Sequence, residues 1–492
     1  MKIKIEKRIK SSKGLLVVPV FQEDLKNLPS AYPAAVKSFI KDRIKDEDFK
    51  AKTKNNLTSY LSVKGLPAKL LVVGMGKKEK YNATSARNLG GRIGKYGKSS
   101  KVTEITTLLI PEMTAFAEDF IGGLLTAQYD LGIMKDMDNK KGKYELKALH
   151  FVLENKPGHL EESLRRGEII AHSVEFVQDL VNLPSNVVDS NYMEREARRI
   201  AKENGYKKIL LGKKELQKMK AGGILAVNQG CQKDPKLLVL QYDGAKDKKE
   251  KPIVIVGKGV IFDTGGYSLK PCGAMETMQQ DMAGGATVLG IFEVLKKLKI
   301  QRNVVGVVPV VENLVNENAY KPSDIITMLS GNTVEVTNTD AEGRLILADS
   351  LYYSSKMDPE LIISIATLTG AVAVALGDRY AGVLGNNADL MENLKQAGEE
   401  TDELVWQLPI HDDYSEKMKS KVADFTNYDP GSGRYAGTAK AAAFLEFFVD
   451  KKNWFHIDIG GTAFTTDPKD YQTKGATAHG LRVLLRFLER GV

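Results

Sequence analysis

The chain has 492 residues, of which 42% are hydrophobic and 27% are charged, and its formal net charge is +9. This composition is that of a folded globular protein and excludes a disordered chain, a collagen and a disulfide-rich scaffold. The chain has only two cysteines, no apolar stretch long enough to span a membrane and no signal-peptide pattern, so we expect a cytoplasmic protein without a membrane partner.

The first third of the chain alternates short apolar runs, which predict strands, with helical stretches. This alternation predicts an N-terminal α/β domain over residues 1–160. The predicted strands are Leu15–Phe21, Leu70–Val73, Thr106–Ile110 and Ala148–Leu153.

The charge is concentrated in this first part of the chain. Residues 1–150 hold 29 basic and 16 acidic side chains, whereas the remaining residues hold 42 and 46. A basic surface can bind phosphate groups, which leaves nucleic acid as an alternative partner. The lysines are scattered and no nucleic-acid motif accompanies them, so a solvated lysine-rich surface is favoured. We expect this domain to serve oligomerisation or regulation.

Residues 161–492 repeat strands and helices more regularly and predict the catalytic domain. Short β-branched runs separated by helices are typical of a mostly parallel sheet with strands buried on both faces. The fold class predicted for the chain is therefore α/β, with two domains that each contain a mixed or mostly parallel sheet with helices on both faces. The predicted strands are Ile253–Val256, Val304–Val311, Val334–Thr337, Leu361–Ile365 and Phe455–Ile459, and the predicted helices are Leu160–Leu183, Ala286–Leu298, Ala341–Ser355, Thr438–Val449 and Thr477–Leu488.

Four carboxylates flank the ends of two predicted strands of this domain. In open parallel sheets the active-site crevice lies beyond the carboxyl ends of the strands, so we expect these side chains to gather there. Their mutual repulsion would be offset by divalent cations, and two metal ions could share a bridging carboxylate. Oxygen ligands suit Mg²⁺ or Mn²⁺, and Zn²⁺ also accepts them. The four are Asp263 and Asp281, after Ile253–Val256, and Asp340 and Glu342, after Val334–Thr337.

Three cationic side chains accompany the carboxylates, namely Lys258, Lys270 and Arg344. A lysine beside a dication can lose its proton and become a nitrogen ligand, and another can stay charged and stabilise an oxyanion. Arg344 could hold a small anion, such as a carboxylate or bicarbonate, beside an attacking water. The six histidines include no pair at the i, i+4 spacing of a helical zinc site, so carboxylates would carry most of the ligation.

Each of these residues also has a purely structural interpretation. Asp263 can cap a turn, the segment that starts at Asn338 can cap a helix, and the basic residues can be surface charges. A dinucleotide-binding loop is rejected, because Phe262 occupies the position where the motif needs glycine or alanine. Only the joint occurrence of these residues at two strand ends favours a metal site.

These segments resemble the leucyl aminopeptidase family of two-metal peptidases. Residues 338–345, Asn-Thr-Asp-Ala-Glu-Gly-Arg-Leu, match the signature of that family in full, and the glycine-rich segment from Lys258 to Asp281 matches at the family's own spacing. Agreement continues through Ala366–Ala371, Gly433–Gly437 and Lys474–Thr477 and covers most of residues 165–492. The first 150 residues resemble the N-terminal domain of the family only loosely.

The resemblance implies a role for each matching metal ligand. Asp263 and Glu342 would bridge two divalent metal ions, Mn²⁺ or Zn²⁺, with Mg²⁺ or Co²⁺ as alternatives in one site. Lys258 and Asp281 would complete the tighter site. Asp340 would complete the exchangeable site with its side chain and its main-chain carbonyl.

The resemblance also implies catalytic and substrate-binding residues. Lys270 would polarise the scissile carbonyl, and Arg344 would hold a bicarbonate that takes the proton from the attacking water. The free α-amine of a peptide would bind one metal, which restricts the reaction to N-terminal residues, with leucine and other apolar residues preferred. The residues that would line the substrate site are Met278, Asn338, Thr367, Leu368, Gly370 and Gly460.

Three positions depart from the family pattern. Ser364 stands where aspartate is usual, Lys440 interrupts an apolar stretch, and Gly460 replaces an alanine near the expected side-chain pocket. The implied activity is that of a metal-dependent aminopeptidase, with a narrower dipeptidase, such as a cysteinylglycine hydrolase, as the alternative. The resemblance implies a homohexamer built as a dimer of trimers.

Overall fold

The computed structural model of the protein describes residues 1–46, 49–132, 144–247, 249–431 and 435–491. The chain divides into two compact units, Met1–His172 with Pro468–Thr473, and Ser173–Asp467 with Lys474–Val492. Both units contain a mixed, mostly parallel sheet together with helices, which confirms the predicted two-domain α/β class. Within the described residues, none of the helices is long and apolar enough to cross a membrane.

The first unit contains a six-stranded sheet. Its order is β1-β6-β5-β2-β4-β3, and every pairing is parallel except that of β3 with β4. All six residues of β2 are buried, as expected of a central strand between two parallel neighbours. The strands are β1 (Lys2–Glu6), β2 (Leu15–Val20), β3 (Asn56–Tyr60), β4 (Lys69–Gly74), β5 (Glu104–Leu108) and β6 (Ala148–Val152).

The second unit is built on a nine-stranded sheet in the order β16-β15-β18-β14-β9-β11-β8-β7, with β10 paired to β11. Strands β18, β14, β9 and β11 are parallel to one another, whereas β7, β8 and β15 run antiparallel to a neighbour. The strands are β7 (Lys207–Leu211), β8 (Lys236–Asp243), β9 (Ile253–Gly257), β10 (Gly259–Asp263), β11 (Asn303–Asn313), β14 (Leu361–Ala366), β15 (Ala381–Gly385), β16 (Val405–Gln407) and β18 (Trp454–Asp458).

Two small sheets complete the second unit. Strands β12 (Ile325–Thr327), β13 (Thr333–Glu335) and β17 (Phe425–Thr426) form one, and β19 (Phe464–Thr465) and β20 (Gly475–Ala476) form the other.

Helices α9 and α10 both pack on the central strands β9, β11 and β14. The α-helices in the described residues are α1 (Ala34–Lys45), α2 (Ala83–Ser99), α3 (Pro111–Thr114), α4 (Ala117–Thr126), α5 (Leu160–Asn182), α6 (Ser190–Asn204), α7 (Lys213–Met219), α8 (Gly222–Val227), α9 (Ala283–Leu298), α10 (Glu342–Ser355), α11 (Gly370–Leu376), α12 (Ala388–Thr401), α13 (Asp412–Glu416), α14 (Gly437–Glu446) and α15 (Leu481–Arg490).

Two predicted elements need correction. The strand predicted over Val334–Thr337 does not belong to the large sheet, because it is the short strand β13 of the small sheet. The helix predicted over Thr477–Leu488 begins only at Leu481. Ala478 has a φ of 57° and Gly480 a φ of 105°, and neither left-handed conformation fits inside a right-handed helix. Gly433 and Arg434, which belong to one of the matching motifs, lie outside the described residues.

Candidate active site

The candidate site lies at the carboxyl ends of the parallel strands of the nine-stranded sheet. Lys258 follows β9 directly, Asp263 ends β10, Thr367 follows β14, and Asp458 ends β18. Because these strands run in one direction, their ends meet at one edge of the sheet. The apolar run over Ile253–Val256 predicted β9, whereas β10 was not predicted, and its Asp263 lies opposite Asn313 at the end of β11.

The side chain of Lys258 lies between two carboxylates at the bottom of the site. Its Nζ is 2.7 Å from Asp281 Oδ2 and 2.7 Å from Glu342 Oε1, and it donates a hydrogen bond to the main-chain oxygen of Thr367 at 3.1 Å. A Cβ at Gly343 would lie 2.6 Å from Lys258 Cε. The glycine of the signature therefore leaves the space that the lysine fills.

The side chain of Lys270 lies between the other two carboxylates. Its Nζ is 2.7 Å from Asp263 Oδ2 and 2.5 Å from Asp340 Oδ1. The side chain of Lys270 is 14% exposed, whereas that of Lys258 is 3% exposed. Lys270 therefore lies on the solvent side of the cluster, where a substrate would arrive.

The carboxylates converge closely enough to hold metal ions. One oxygen each of Asp263, Asp340 and Glu342 lie within 4.8 Å of one another. Asp281 joins this group through Lys258, which contacts both Asp281 and Glu342. Four carboxylates and two ammonium groups leave an excess of two negative charges, and oxygen donors with one amine fit divalent cations. The residues therefore fit the predicted metal centre.

Burial governs the protonation of the carboxylates. It raises the pKa of Asp263 to about 6 and raises the pKa of both Asp281 and Asp340 above the usual aspartate value. Burial also acts on Glu342, but the nearby lysines outweigh it and lower the pKa of this carboxyl. Three of the four acids are therefore weaker acids than usual, and a cation must compete with protons for their oxygens.

The pKa values of the two lysines are also raised, but by the neighbouring charges and not by burial. Burial alone would lower the pKa of Lys258 and Lys270, but the surrounding carboxylates outweigh burial and raise both. Both side chains are held as cations by these neighbours. Ligation of a metal by Lys258 Nζ, the role implied by the resemblance, therefore requires that the metal replace a proton.

Arg344 is buried on α10, two residues after Glu342. Its Nη1 donates to the main-chain oxygen of Asn427 at 2.9 Å, whereas its Nε is buried without a hydrogen-bond partner among the described residues. Burial lowers the pKa of the guanidinium to about 10, so it stays charged at neutral pH. A buried guanidinium with an unused donor is a suitable anion site.

Two of the predicted substrate-binding residues contact the carboxylate cluster directly. Thr367 Oγ1 donates to Asp281 Oδ1 at 2.7 Å. Asn338 Oδ1 accepts a hydrogen bond from the main-chain N–H of Asp340 at 2.8 Å, which makes Asn338 a turn residue beside a carboxylate of the cluster.

The other predicted substrate residues lie around this cluster. Met278 is half-buried in the same short 3-10 turn as Asp281. Leu368 is half-buried in the loop after β14. Gly370 is exposed, and a Cβ there would have no neighbour within 4 Å among the residues that the structure describes. At Gly460 a Cβ would lie 2.4 Å from the main-chain oxygen of Thr369, so this glycine permits the close approach of two chain segments.

Asp458, for which no role was predicted, holds the loop of residues 367–369 that follows β14. Asp458 Oδ1 accepts from the main-chain N–H groups of Leu368 and Gly460, both at 3.1 Å, and its Oδ2 accepts from Thr369 Oγ1 at 2.6 Å. Asp458 is fully buried at the end of a central strand. A carboxylate at the end of a predicted strand was the signal that could have identified it.

The sequence also did not predict the contact of Asn313 with Asp263 or the partner of Lys440. Asn313 Nδ2 donates to Asp263 Oδ1 at 2.7 Å and thereby orients that carboxylate. Lys440 is buried, and its Nζ lies 3.1 Å from Asp429 Oδ2, so the unusual lysine has a carboxylate partner. Neither pairing has a signal in the sequence, because the partners lie 50 and 11 residues apart.

Comparison with known families matches both units of the chain. A model of the "Cytosol aminopeptidase family, catalytic domain" matches residues 175–485, and one of the "Cytosol aminopeptidase family, N-terminal domain" matches residues 17–136. The catalytic match includes every residue that was predicted to bind metal or substrate.

Individual relatives cover nearly the whole chain. A protein of Nitrosococcus oceani named "Probable cytosol aminopeptidase" is 38% identical over 97% of this chain and 96% of its own. A protein of Methylobacillus flagellatus with the same name is 35% identical over 98% and 97%. Among solved structures, the "Bottromycin maturation enzyme BotP in complex with Mn" is 25% identical with a TM-score of 0.84 over 98% of this chain and 99% of its own.

Proposed function

The chain belongs to the cytosol aminopeptidase family and is a metal-dependent aminopeptidase, and we propose that it uses two divalent metal ions to release N-terminal leucine and other apolar residues from peptides. The observation that carries this proposal is the convergence of Asp263, Asp281, Asp340 and Glu342 on two lysine ammonium groups. Such a cluster is suited to replacing bound protons by metal cations.

The contacts divide the proposed ligands into two sets. Lys258 contacts Asp281 and Glu342, and this set with Asp263 would hold the first ion. Asp340, with the shared carboxylates of Asp263 and Glu342, would hold the second. Mn²⁺ and Zn²⁺ are the proposed ions, with Mg²⁺ or Co²⁺ as alternatives in one site, and the complex of the related BotP with Mn supports manganese. When bound, the two ions would polarise the scissile carbonyl and activate a water molecule for attack.

Lys270 and Arg344 carry the remaining roles. Lys270 stays cationic because the carboxylates raise its pKa, and it lies on the solvent side of the cluster. From there it would stabilise the negative charge that develops on the carbonyl oxygen. Arg344 would hold a bicarbonate through its unused Nε donor, and this anion would accept the proton of the attacking water.

The substrate preference is proposed from the surroundings of the cluster. The α-amine of the peptide would bind one metal, and the first side chain would lie among Met278, Thr367, Leu368 and Gly370, with Asn338 and Gly460 nearby. A narrower dipeptidase, such as a cysteinylglycine hydrolase, is the alternative. A comparison of kcat/KM for leucyl-glycine, cysteinyl-glycine and a leucyl tripeptide separates the two, because a strict dipeptidase would not cleave the tripeptide.

The experiment that tests the activity is hydrolysis of a leucine anilide at about pH 8, where protons compete less with the metal for the carboxylate ligands than they do at lower pH. The purified protein is assayed with Mn²⁺ or Zn²⁺ and then with a chelator. We expect release that the metal restores and the chelator abolishes. A metal-loaded protein without release would contradict the leucine preference, and a protein that neither binds metal nor releases anilide would contradict the metal site.

The assembly and location are proposed on the same basis. We propose a homohexamer of two trimers in the cytosol, supported by the resemblance, by the names of the relatives and by exposed apolar side chains such as Val374 and Tyr435. Sedimentation analysis tests the hexamer, and a monomer at micromolar concentration would contradict it.

Nucleic-acid binding by the basic N-terminal part of the chain is the alternative partner. It would show as a binding affinity that falls steeply as the salt concentration rises.

A further inference from the structure

Asn427 is fully buried beside residues 338–345, which we call the signature segment, although it lies almost 90 residues further along the chain. It follows β17, which pairs in parallel with β13, and its main-chain N–H donates to the oxygen of Glu335 at 3.0 Å. The sheet of β12, β13 and β17 therefore places the Asn427 side chain next to the segment that carries Asp340.

The side-chain amide of Asn427 makes hydrogen bonds to main-chain groups before and after Asp340. Its Oδ1 accepts from the main-chain N–H groups of Thr337 at 2.9 Å and Asn338 at 3.3 Å. Its Nδ2 donates to the main-chain oxygens of Asn338 at 2.7 Å and Ala341 at 3.3 Å. An asparagine side chain has two donors and two acceptor lone pairs, so this one is fully used on the segment.

The main chain of Asn427 adds a contact to a second functional residue. Its carbonyl oxygen accepts the hydrogen bond from Arg344 Nη1 at 2.9 Å. From the other side, Asn313 Nδ2 and the Tyr320 hydroxyl donate to the main-chain oxygen of Thr339 at 3.0 and 2.7 Å. Side chains from distant elements therefore bond the main-chain oxygens of Asn338, Thr339 and Ala341, which lie before and after Asp340.

We propose that Asn427 is a positioning residue that sets the geometry of Asp340 and Arg344 together. This inference rests on the proposed function, in which Asp340 completes the exchangeable metal site and Arg344 holds an anion. The segment 338–341 has no regular secondary structure of its own, so its conformation depends on such side-chain bonds. Groups that orient metal ligands in this way typically change metal affinity or activity by about 10–100-fold when they are replaced.

Two variants test the proposal. Asn427→Asp keeps an acceptor for Thr337 and Asn338 but loses the donors to Asn338 and Ala341, and Asn427→Ala removes the amide without adding a charge. Asn204→Asp is the matched control. It also removes a buried asparagine amide, whose Nδ2 donates to the main-chain oxygen of Ile200 at 3.0 Å. The main-chain oxygen of Asn204 accepts from Lys296 Nζ. Lys296 lies near the C-terminal end of α9, about 20 Å along the helix axis from the N-terminal end that follows Asp281.

The measurements are Mn²⁺ binding by titration calorimetry, kcat and KM as functions of Mn²⁺ concentration, and thermal unfolding without metal. We expect both Asn427 variants to bind one of the two ions about 10–100-fold more weakly, to need correspondingly more Mn²⁺ for activity, and to change KM for the peptide little. The other ion should bind with unchanged affinity. Asn204→Asp should match the wild type in both affinities.

Two results would overturn the proposal. One is wild-type Mn²⁺ affinity at both sites in both Asn427 variants, and the other is an equal loss at both sites that follows a lower unfolding temperature. The second result would assign Asn427 a merely structural role. If the wild-type protein binds Mn²⁺ but cleaves no peptide, the binding isotherms still test Asn427, so its failure and that of the proposed function remain distinguishable.

Discussion

Ser268 and Thr339 exchange two hydrogen bonds. The main-chain N–H of Ser268 donates to Thr339 Oγ1 at 2.7 Å, and the main-chain N–H of Thr339 donates to Ser268 Oγ at 3.1 Å. Thr339 Oγ1 also donates to the main-chain oxygen of Gly265 at 2.6 Å. These bonds tie the segment that carries Asp263 to the segment that carries Asp340, and they fix the distance between two carboxylates of the cluster.

Replacement of Thr339 by valine tests this connection. The Thr339→Val variant keeps the shape of the side chain but leaves the N–H of Ser268 and the oxygen of Gly265 without this partner. We expect a loss of about 1–3 kcal/mol in the free energy of unfolding, measured with urea, and weaker Mn²⁺ binding. The matched control is Thr287→Val, because Thr287 is buried in the same unit and its Oγ1 has no hydrogen-bond partner within the described part of the chain. Equal effects of the two substitutions would contradict the prediction.

Replacement of Glu342 by glutamine should separate folding from metal binding. Glu342→Gln removes one charge from a buried cluster that has more carboxylates than ammonium groups, so we expect the fold to persist. Metal content and turnover should fall together, by more than the roughly 10–100-fold typical of residues that only orient a ligand. Circular dichroism, metal analysis and kcat measure the three properties. Full metal content with lost turnover would contradict the assignment of Glu342 as a ligand.

The pKa values predict how metal binding depends on pH. Burial raises the pKa of Asp263 to about 6, so Mn²⁺ must displace a proton below that pH and its affinity should fall as the pH decreases. Lys258 has a raised pKa, so its use as a ligand should release about one further proton even at about pH 8. Calorimetry in buffers of different ionisation enthalpy measures this release. Lys258→Met should abolish the release that persists at high pH, and an unchanged release in that variant would exclude Lys258 as a ligand.

Gly460 and Gly370, which lie near the loop that follows β14, should respond differently to an added methyl group. In Gly460→Ala the Cβ would lie 2.4 Å from the oxygen of Thr369, so the loop must shift, and we expect a loss of about 1–3 kcal/mol in stability and altered kcat/KM among apolar substrates. At Gly370 a Cβ would meet none of the described residues within 4 Å, so Gly370→Ala is the control for stability and should fold with wild-type stability. A tolerated Gly460→Ala with unchanged specificity would show that the loop does not depend on this contact.

Asp349 should make the stability of the second unit depend on pH. Its Oδ2 accepts from the N–H of Ile224 at 3.0 Å and its Oδ1 from that of Leu329 at 2.8 Å, and burial raises its pKa from 3.8 to about 7. The folded state therefore binds the proton more tightly than the unfolded chain. The resulting stability is present below about pH 4 and is lost as the pH rises through about 7.

The variant Asp349→Asn isolates this effect, because every other titrating group is shared with the wild type. The free energy of unfolding of the wild type should fall relative to that of the variant as the pH rises from about 4 to about 7, as measured by urea titration at several pH values. A difference that stays constant over this range would refute the raised pKa.

Local sequence was sufficient to predict much of the fold and the residues that form the carboxylate cluster. The apolar runs at Ile253–Val256 and Leu361–Ile365 predicted central strands, because a strand that is buried on both faces must be apolar throughout. The acidic and basic residues after Ile253–Val256 and Val334–Thr337 predicted a metal centre, because their charges need compensation when they gather. Both inferences depend only on neighbours along the chain.

The tertiary structure decided what depends on distant partners. Val334–Thr337 has the composition of a buried strand, but pairing with β17 places it in a small separate sheet, and no local pattern specifies that pairing. The contacts of Asn427 with the signature segment join residues about 90 positions apart, and those of Ser268 with Thr339 join residues 71 positions apart. The sequence by itself therefore predicted which charged side chains gather at the candidate site. Only the folded chain determined how they are held, because hydrogen-bond geometry between remote segments exists only after the strands have paired.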